Sequence, residues 1–162
     1  MKFVLTTLTL ILTLALLPVT AQQQITIQQH VSNDLSKQML CIAKNIYYEA
    51  ASEPYEGKLA VAQVTINRVN SGNYPSDFCG VVNQRTGETC QFSWTCEKSY
   101  PIKDPYKWEE CLNIAKRALT ETVLHKELAK TKAMFYHANY VNPGWKMRVV
   151  KRIGNHIFYT KA

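Results

Sequence analysis

The stretch LSKQMLCIAKNIYYEA, residues 35–50, decides the fold around it. Its apolar residues recur at steps of four, three and four from Leu35 to Ile46, which predicts a helix with one buried stripe. The next step of three lands on Glu49. A carboxylate on a buried stripe is costly unless it is ion-paired or kept protonated by desolvation. Glu49 is therefore either a structural charge or a catalytic acid.

Two further helices follow from local signals. Ser32 or Asn33 can cap the first helix, and Pro54 ends it near Ser52 because the residue before a proline is pushed out of helical backbone. Pro54 then suits the first position of a second helix, predicted to reach about Asn70 and apolar nearly all round, hence central to the core. Asp104-Pro105 opens a third helix. Its predicted inner stripe is Trp108, Leu112, Ala115, Leu119 and Val123.

The C-terminal part changes to a strand pattern. Short strands are predicted at Ala133–His137, Met147–Arg152 and His156–Tyr159, the last two joined by a Gly154-Asn155 turn. A short element around Phe78 to Val82 and a strand or extended loop from Cys90 to Thr95 precede the third helix. Helices first and a small antiparallel sheet near the end predict a mostly helical α+β domain.

The N-terminus has the features of a secretion signal. An uncharged apolar run from Phe3 to Leu17 follows Lys2, and Val19-Thr20-Ala21 supplies small residues for cleavage. We predict a signal peptide over 1–21 and export to the periplasm, cell wall or medium, with a retained anchor as the alternative. Residues 22–31 are rich in glutamine and lack helical periodicity, so they are interpreted as a short linker or frayed arm.

All five cysteines lie after the leader: Cys41, Cys79, Cys90, Cys96 and Cys111. Since an exported chain meets an oxidising compartment, one or two disulfides are predicted. The odd count leaves at least one free thiol, and spacing alone does not select the pairing.

Positive charge is concentrated near the C-terminus. Without the leader the chain has eighteen basic and twelve acidic residues, and from Lys126 onward eight basic residues accompany one acidic residue, Glu127. An anionic polymer is a natural partner, and a secretion signal favours wall or surface polysaccharide over nucleic acid. A solvated basic surface that serves solubility is the alternative.

Glu49 and Glu53 are the candidate carboxylates. Glu49 lies in the last turn of its helix, where the negative end of the helix dipole adds to desolvation in raising its pKa. A carboxylic acid that stays protonated near neutral pH suits protonation of a glycosidic oxygen. Glu53 is interpreted mainly as a charge at the start of the second helix, with a supporting role at the site as the other reading.

The ordered motifs of residues 41–160 resemble those of the SleB-like cell wall hydrolases, which include spore-cortex-lytic enzymes. The resemblance begins at Ile46-Tyr47-Tyr48-Glu49-Ala50 and Glu53-Pro54-Tyr55-Glu56-Gly57, and continues through Asn67-Arg68-Val69, Tyr74-Pro75 and Cys79-Gly80-Val81-Val82. It is completed by Cys90-Gln91-Phe92-Ser93-Trp94-Thr95-Cys96, Phe135-Tyr136-His137-Ala138, Val141-Asn142-Pro143-Gly144-Trp145 and Ile153-Gly154-Asn155-His156-Ile157-Phe158-Tyr159.

This resemblance implies a compact lysozyme-like catalytic domain over 32–162 that acts on the glycan strands of peptidoglycan. Glu49 matches the family's catalytic glutamate, which would act as general acid and base between N-acetylmuramic acid and N-acetylglucosamine. A monomer is expected, with no cofactor and no metal. The chain departs from the family at Ala51-Ser52, where Arg-Gly is usual, which puts in doubt the contacts of the missing arginine.

Substrate-binding residues are expected in two segments. Gln91, Phe92, Ser93 and Trp94 combine amide, hydroxyl and aromatic groups suited to sugar rings, with Phe92 and Trp94 as core residues in the alternative reading. The resemblance makes His137 and Tyr140 cleft candidates, whereas His137 alone would be interpreted as structural.

Two other classes of function stay open. An amidase or peptidase acting on stem peptides would need a metal or nucleophile site that the sequence does not show, since it has no C-x-x-C and no H-E-x-x-H pattern. A non-catalytic wall-binding module would have no use for a desolvated acid at Glu49. A glycosidase of the lytic transglycosylase type is therefore the favoured hypothesis.

Overall fold

The structure, a computed structural model, describes residues 19–97 and 101–161. Most of the predicted signal peptide lies outside the described residues. No helix within the described ranges has both the length and the apolar character needed to cross a membrane.

Helices make up the first part of the fold, and a small sheet makes up the last part, as predicted. The helices are α1 (Ala21–Ala50), α2 (Tyr55–Val69), α3 (Phe78–Val82), α4 (Pro105–Ala118) and α5 (Lys126–Lys130). The strands are β1 (Arg85–Thr86), β2 (Thr89–Cys90), β3 (Phe135–Ala138), β4 (Arg148–Ile153) and β5 (His156–Thr160). β1 and β2 form a small hairpin, and the other three strands form an antiparallel sheet in the order β3-β5-β4. The α+β prediction is confirmed.

The second helix separates two hydrophobic clusters, which explains why it is apolar nearly all round. Ala62 and Ile66 pack into a cluster shared with α1 and α4. Val61 and Val64 pack into a second cluster with the sheet, where Phe158 is fully buried. α2 is therefore the central helix, as its sequence predicts.

The cap of the first helix lies twelve residues before the predicted cap at Ser32. Thr20 caps the helix, and the side chain of Gln23 completes a capping box with the backbone of Thr20. Residues 22–31 are helical and exposed and form the first part of α1, whereas the lack of periodicity favoured a linker or frayed arm there. The N-terminal part of α1 buries no face, so the sequence shows no apolar periodicity there. Glutamine is nevertheless a good helix former.

Leu35 was also expected on the buried stripe of α1, yet 49% of its surface is exposed. The stripe becomes part of the core only from Met39 onward, and Ile42 and Ile46 are fully buried.

The third long helix ends earlier than its apolar pattern suggests. α4 stops at Ala118, so Leu119 is its C-cap residue and Val123 is 48% exposed beyond it. The predicted inner stripe is wrong at Val123, whereas Leu119 is half-buried at the end of the helix. The following β-branched threonines disfavour helix, and the chain turns into α5, a short helix capped by His125 that the sequence pattern does not predict.

Two disulfides are present, within the predicted number. Cys41 of α1 joins Cys79 of α3, and Cys90 at the end of β2 joins Cys96, six residues further along the chain. Cys111 on α4 is the buried free thiol.

Candidate active site

Glu49 occupies the last turn of α1, facing the sheet. It is half-buried, and the hydroxyl of Tyr136 on β3 donates a hydrogen bond to its Oε2 at 3.1 Å. Burial raises the pKa of Glu49, while the Tyr136 hydrogen bond and the positive charge of Arg68 oppose the shift. Desolvation prevails, so the carboxyl retains its proton to higher pH than an exposed glutamate does.

Tyr136 itself serves only as a donor at this site. Its own pKa lies well above the usual range because the ring is buried and the Glu49 carboxylate is adjacent. The hydroxyl therefore keeps its proton across the physiological range and fixes the orientation of the Glu49 side chain.

Arg68 on α2 is the positive group of the site, and its role does not follow from the sequence pattern. Its guanidinium is 3% exposed and donates from Nε and Nη2 to the carbonyl of Met134, at 2.9 and 2.7 Å. The rings of Tyr74 and Phe92 lie 5.2 and 5.4 Å from the guanidinium carbon. Nη1 has no hydrogen-bond partner among the described residues. The only available signal was its place in the Asn67-Arg68-Val69 motif.

Both carboxylate oxygens of Glu53 accept hydrogen bonds in a structural contact with Asn155. Its Oε2 accepts from the backbone N–H of Asn155 at 2.8 Å, and its Oε1 accepts from the Asn155 side chain at 3.1 Å. The residue is 9% exposed. Glu53 therefore joins the α1–α2 connection to the turn between β4 and β5.

The segment Gln91 to Trp94 adds an aromatic wall beside α1. Phe92 is buried against Arg68, and Trp94 lies half-buried on Tyr48 with ring centroids 4.7 Å apart. Gln91 and Ser93 are exposed. The segment from Ser93 to Thr95 is a 3₁₀ turn, so only Cys90, in β2, forms part of the predicted strand.

His137 and Tyr140 are not brought to Glu49. Successive side chains of a strand point to opposite faces, and Tyr136 takes the face toward Glu49. His137 lies on the other face, where Nε2 pairs with the Tyr159 hydroxyl at 2.7 Å and Nδ1 with the carbonyl of Ala138 at 2.8 Å. Tyr140 is 85% exposed in the loop after β3.

The site thus has one carboxyl group prepared for proton transfer. A half-buried acid of raised pKa can protonate a leaving oxygen, and the resulting carboxylate is stabilised by Tyr136 and Arg68. Within residues 19–97 and 101–161, no group of three or more histidine, cysteine, aspartate or glutamate side chains is arranged to hold a metal ion.

Solved structures share this fold. The catalytic domain of the Bacillus cereus SleB protein superposes with a TM-score of 0.55 at 23% identity, covering 77% of this chain and 91% of that one. The catalytic domain of the germination-specific lytic transglycosylase SleB from Bacillus anthracis gives 0.54 at 24% identity, covering 76% and 93%. At this identity the likeness establishes the fold alone.

Sequence relatives point the same way. The spore cortex-lytic enzyme of Oceanobacillus iheyensis is 28% identical over 133 residues, which is 81% of this chain and 43% of that protein. That of Bacillus subtilis is 26% identical over 119 residues, 72% of this chain and 35% of that protein. The aligned part of the chain thus spans less than half the length of these curated relatives.

The family itself is identified by a match to residues 52–159. This segment contains Arg68, the Gln91–Trp94 segment and all three strands of the larger sheet, and it begins just after Glu49. The match extends over more than half of the sequence. The chain therefore belongs to the cell wall hydrolase family.

Proposed function

We propose that the chain is an exported peptidoglycan-cleaving enzyme. It cuts the bond between N-acetylmuramic acid and N-acetylglucosamine as a lytic transglycosylase, with Glu49 as the general acid and base. Family membership and the kinship with spore cortex-lytic enzymes support a wall substrate. The apolar leader behind Lys2 supports export.

The observation that carries the proposal is that the carboxylates following Glu49 in the chain are engaged in other contacts, which leaves Glu49 to act alone as a proton donor. Glycosidases that hydrolyse through water or a covalent intermediate commonly use a second carboxylate at a defined distance. Here Glu53 is held by Asn155, and Glu56 is held by Lys151 and His125 at 2.9 and 3.1 Å. The next two carboxylates of the chain are therefore engaged elsewhere, which favours a mechanism in which the substrate supplies its own nucleophile.

The reaction then needs one group to act twice. The Glu49 carboxyl transfers its proton to the glycosidic oxygen, and the bond from that oxygen to C1 of the muramyl residue breaks. The muramyl C6 hydroxyl attacks C1, and the Glu49 carboxylate takes the hydroxyl proton as the 1,6-anhydro ring closes. Atoms and charge balance without water, and Glu49 returns to its protonated form.

The surroundings of Glu49 suit both halves of this cycle. Desolvation favours the protonated acid before the cut, and Tyr136 and Arg68 stabilise the carboxylate after it. The exposed Gln91 and Ser93, beside Trp94, would contact sugar hydroxyls and ring faces.

Digestion of purified peptidoglycan by residues 22–162, followed by mass spectrometry, tests the proposal. We expect anhydromuramyl fragments from the wild-type protein and at least a hundredfold lower rate from Glu49→Gln, the order of effect typical of a removed general acid. Glu109→Gln, an exposed glutamate on α4, is the matched control and should keep full activity.

Three results would contradict the proposal. Equal activity of wild type and Glu49→Gln would remove the acid from the mechanism. Freed stem peptides on intact glycan would indicate an amidase or peptidase. Sedimentation with the wall without any product would indicate a binding module.

A further inference from the structure

The three-stranded sheet has two faces of different character. The inner face carries Tyr136 and Phe158, which pack toward Glu49 and the core. The outer face carries Phe135 and His137 from β3 and Tyr159 from β5, as the register of the pairs shows.

β4 extends this outer face across the sheet. Val149 pairs with Tyr159 and Arg152 pairs with Ile157, although the two β4 residues are three positions apart. A register shift between Val149 and Lys151 brings them to the same side. The bulge thus places an apolar and a cationic side chain together on the face away from Glu49.

Trp145 lies over this face from the loop between β3 and β4. Its ring centroid is 6.1 Å from that of Phe135, 5.4 Å from that of His137 and 5.8 Å from that of Tyr159. The His137 and Tyr159 rings are stacked at 5.1 Å and joined by their hydrogen bond, so the support beneath Trp145 is rigid. We call the set Phe135, His137, Trp145, Val149, Arg152 and Tyr159 the outer face.

Despite these contacts, the outer face is not closed to solvent. Trp145 is 40% exposed and Val149 is 46% exposed, while Arg152 and the neighbouring Lys146 are exposed. Among the described residues no carboxylate forms an ion pair with Arg152 or Lys146. An accessible indole on the same face of the sheet as the unpaired Arg152, with Lys146 next to Trp145 in the sequence, is suited to a ligand that combines apolar ring faces with negative charge.

The charge around the outer face indicates which kind of ligand it would bind. The single acidic residue after Lys126 is Glu127, and it lies 3.5 Å from the ammonium group of Lys151, at the inner-face edge. Cations therefore dominate the outer side. A glycan strand of peptidoglycan presents the apolar C–H faces of its sugar rings and the carboxylates of its stem peptides, which match Trp145 and the cations respectively.

We propose that the outer face is a second binding site for a peptidoglycan glycan strand, separate from the strand that is cut at Glu49. The inference rests on the proposed function. The sheet lies between the two sites, because Tyr136 faces Glu49 while its neighbours Phe135 and His137 face Trp145. The outer site holds the enzyme on the wall while the cleft cuts a neighbouring strand, and His137 and Tyr159 are positioning residues for Trp145.

Binding and cleavage are measured separately to test this. In the Glu49→Gln background, which removes turnover, the affinity for purified insoluble peptidoglycan is compared among Trp145→Ala, Arg152→Gln and their double variant. We expect the double variant to bind about tenfold more weakly, as for a central aromatic and a cation of a binding patch. With Glu49 intact, the double variant should cleave short soluble glycan fragments at a rate within twofold of wild type.

Tyr106→Ala and Lys116→Gln, an exposed aromatic and an exposed cation on α4, are the matched controls and should bind like the parent. Arg152→Gln keeps the test valid if Trp145→Ala does not fold, because Arg152 lies at the surface.

Three outcomes would overturn the inference. Unchanged wall affinity in both Arg152→Gln and the double variant would remove the outer face from binding. Loss of soluble-fragment cleavage in a folded double variant would place these residues in the cleft. The protein is also tested on an anionic wall polymer without amino sugars. Binding as strong as that to peptidoglycan, and unchanged in Trp145→Ala, would show that charge alone acts. Full activity of Glu49→Gln would defeat the proposed function instead, whatever the binding data show.

Discussion

Glu49 is the residue at which burial and the proposed function oppose each other. Its carboxyl lies half-buried at the end of α1, and burial raises its pKa against the opposing effects of Tyr136 and Arg68. A hydrophobic residue at the same position would pack at lower cost. The pKa direction has a consequence for stability that can be measured apart from catalysis.

We expect Glu49→Gln to gain stability relative to wild type as the pH rises. Because the folded protein binds this proton more tightly than the unfolded chain, the contribution of Glu49 to stability is fully present below its unfolded pKa of about 4.3 and is lost as the pH passes through the higher folded value. Glutamine has no such titration, and it can still accept from Tyr136. Urea denaturation of both proteins from about pH 4 to pH 8 measures the difference. A pH-independent difference would contradict the raised pKa.

Arg68 lowers the same pKa, so its removal should be visible in the pH profile of activity. In Arg68→Met the desolvation of Glu49 is less opposed, and the alkaline limb of kcat/KM should move to higher pH. The variant should also lose about 2 kcal/mol or more of stability, because the Met134 carbonyl loses its buried donor.

The position of the limb does not depend on the amount of folded enzyme, so it separates the electrostatic role from a merely structural one. Arg117→Met, which removes an arginine paired with Glu121 at the surface, is the control. An unshifted limb in Arg68→Met, with the fold intact, would show that Arg68 only supports the core.

At the level of elements, Glu53 links the α1–α2 connection to the β4–β5 turn. The turn is close: a Cβ on Gly154, whose φ is +55°, would overlap Glu53 Oε2. Only glycine fits that backbone and that space without strain. This contact holds the β4–β5 turn beside the end of α1, and it thereby helps to place Tyr136 against Glu49.

We expect Glu53→Gln to destabilise the protein by about 1–2 kcal/mol while reducing kcat only severalfold, because one of two charge-assisted hydrogen bonds from Asn155 is lost. Thermal unfolding and turnover of the same samples test both parts. A loss of kcat as large as that of Glu49→Gln would instead assign Glu53 a direct part in the chemistry.

Elements were predictable from the sequence where burial imposes a period. α2 and the β4–β5 hairpin were predicted almost to the residue, because α2 contacts core on both sides and Gly154-Asn155 marks the turn. The start of α1 was not predicted, because a helix that is exposed on all sides leaves no apolar pattern in the sequence. α5 is a five-residue helix, too short to display periodicity, and its cap is a histidine.

At the scale of the whole molecule, the sequence singles out Glu49 as the candidate acid but does not predict which groups surround it. Glu49 was recognised through the register of its own helix. Tyr136, which orients it, is 87 residues away, and only the paired strands show that Tyr136 faces inward and His137 outward. Local patterns therefore gave the layers, while the side of the sheet on which an aromatic residue lies required the tertiary structure.

The two disulfides differ in how much of the molecule they constrain. Cys41–Cys79 spans 38 residues and joins α1 to α3, whereas Cys90–Cys96 spans 6 residues within one local segment. Cross-links stabilise chiefly by restricting the unfolded chain, and the effect grows with the length of the closed loop. Burial raises the pKa of the Cys111 thiol to about 12. The thiol therefore stays protonated and does not exchange with either disulfide.

We expect the double variant Cys41→Ser/Cys79→Ser to lose about 4 kcal/mol of unfolding free energy and Cys90→Ser/Cys96→Ser about 2 kcal/mol, from the loop lengths. Urea denaturation under oxidising conditions measures both. Repeating it in reductant is the control, because wild type should then approach the variants. Equal losses would mean that unfolded-state entropy does not govern these cross-links. A larger loss for the short loop would mean that the Gln91–Trp94 segment between Cys90 and Cys96 contributes more to the fold than its exposure indicates.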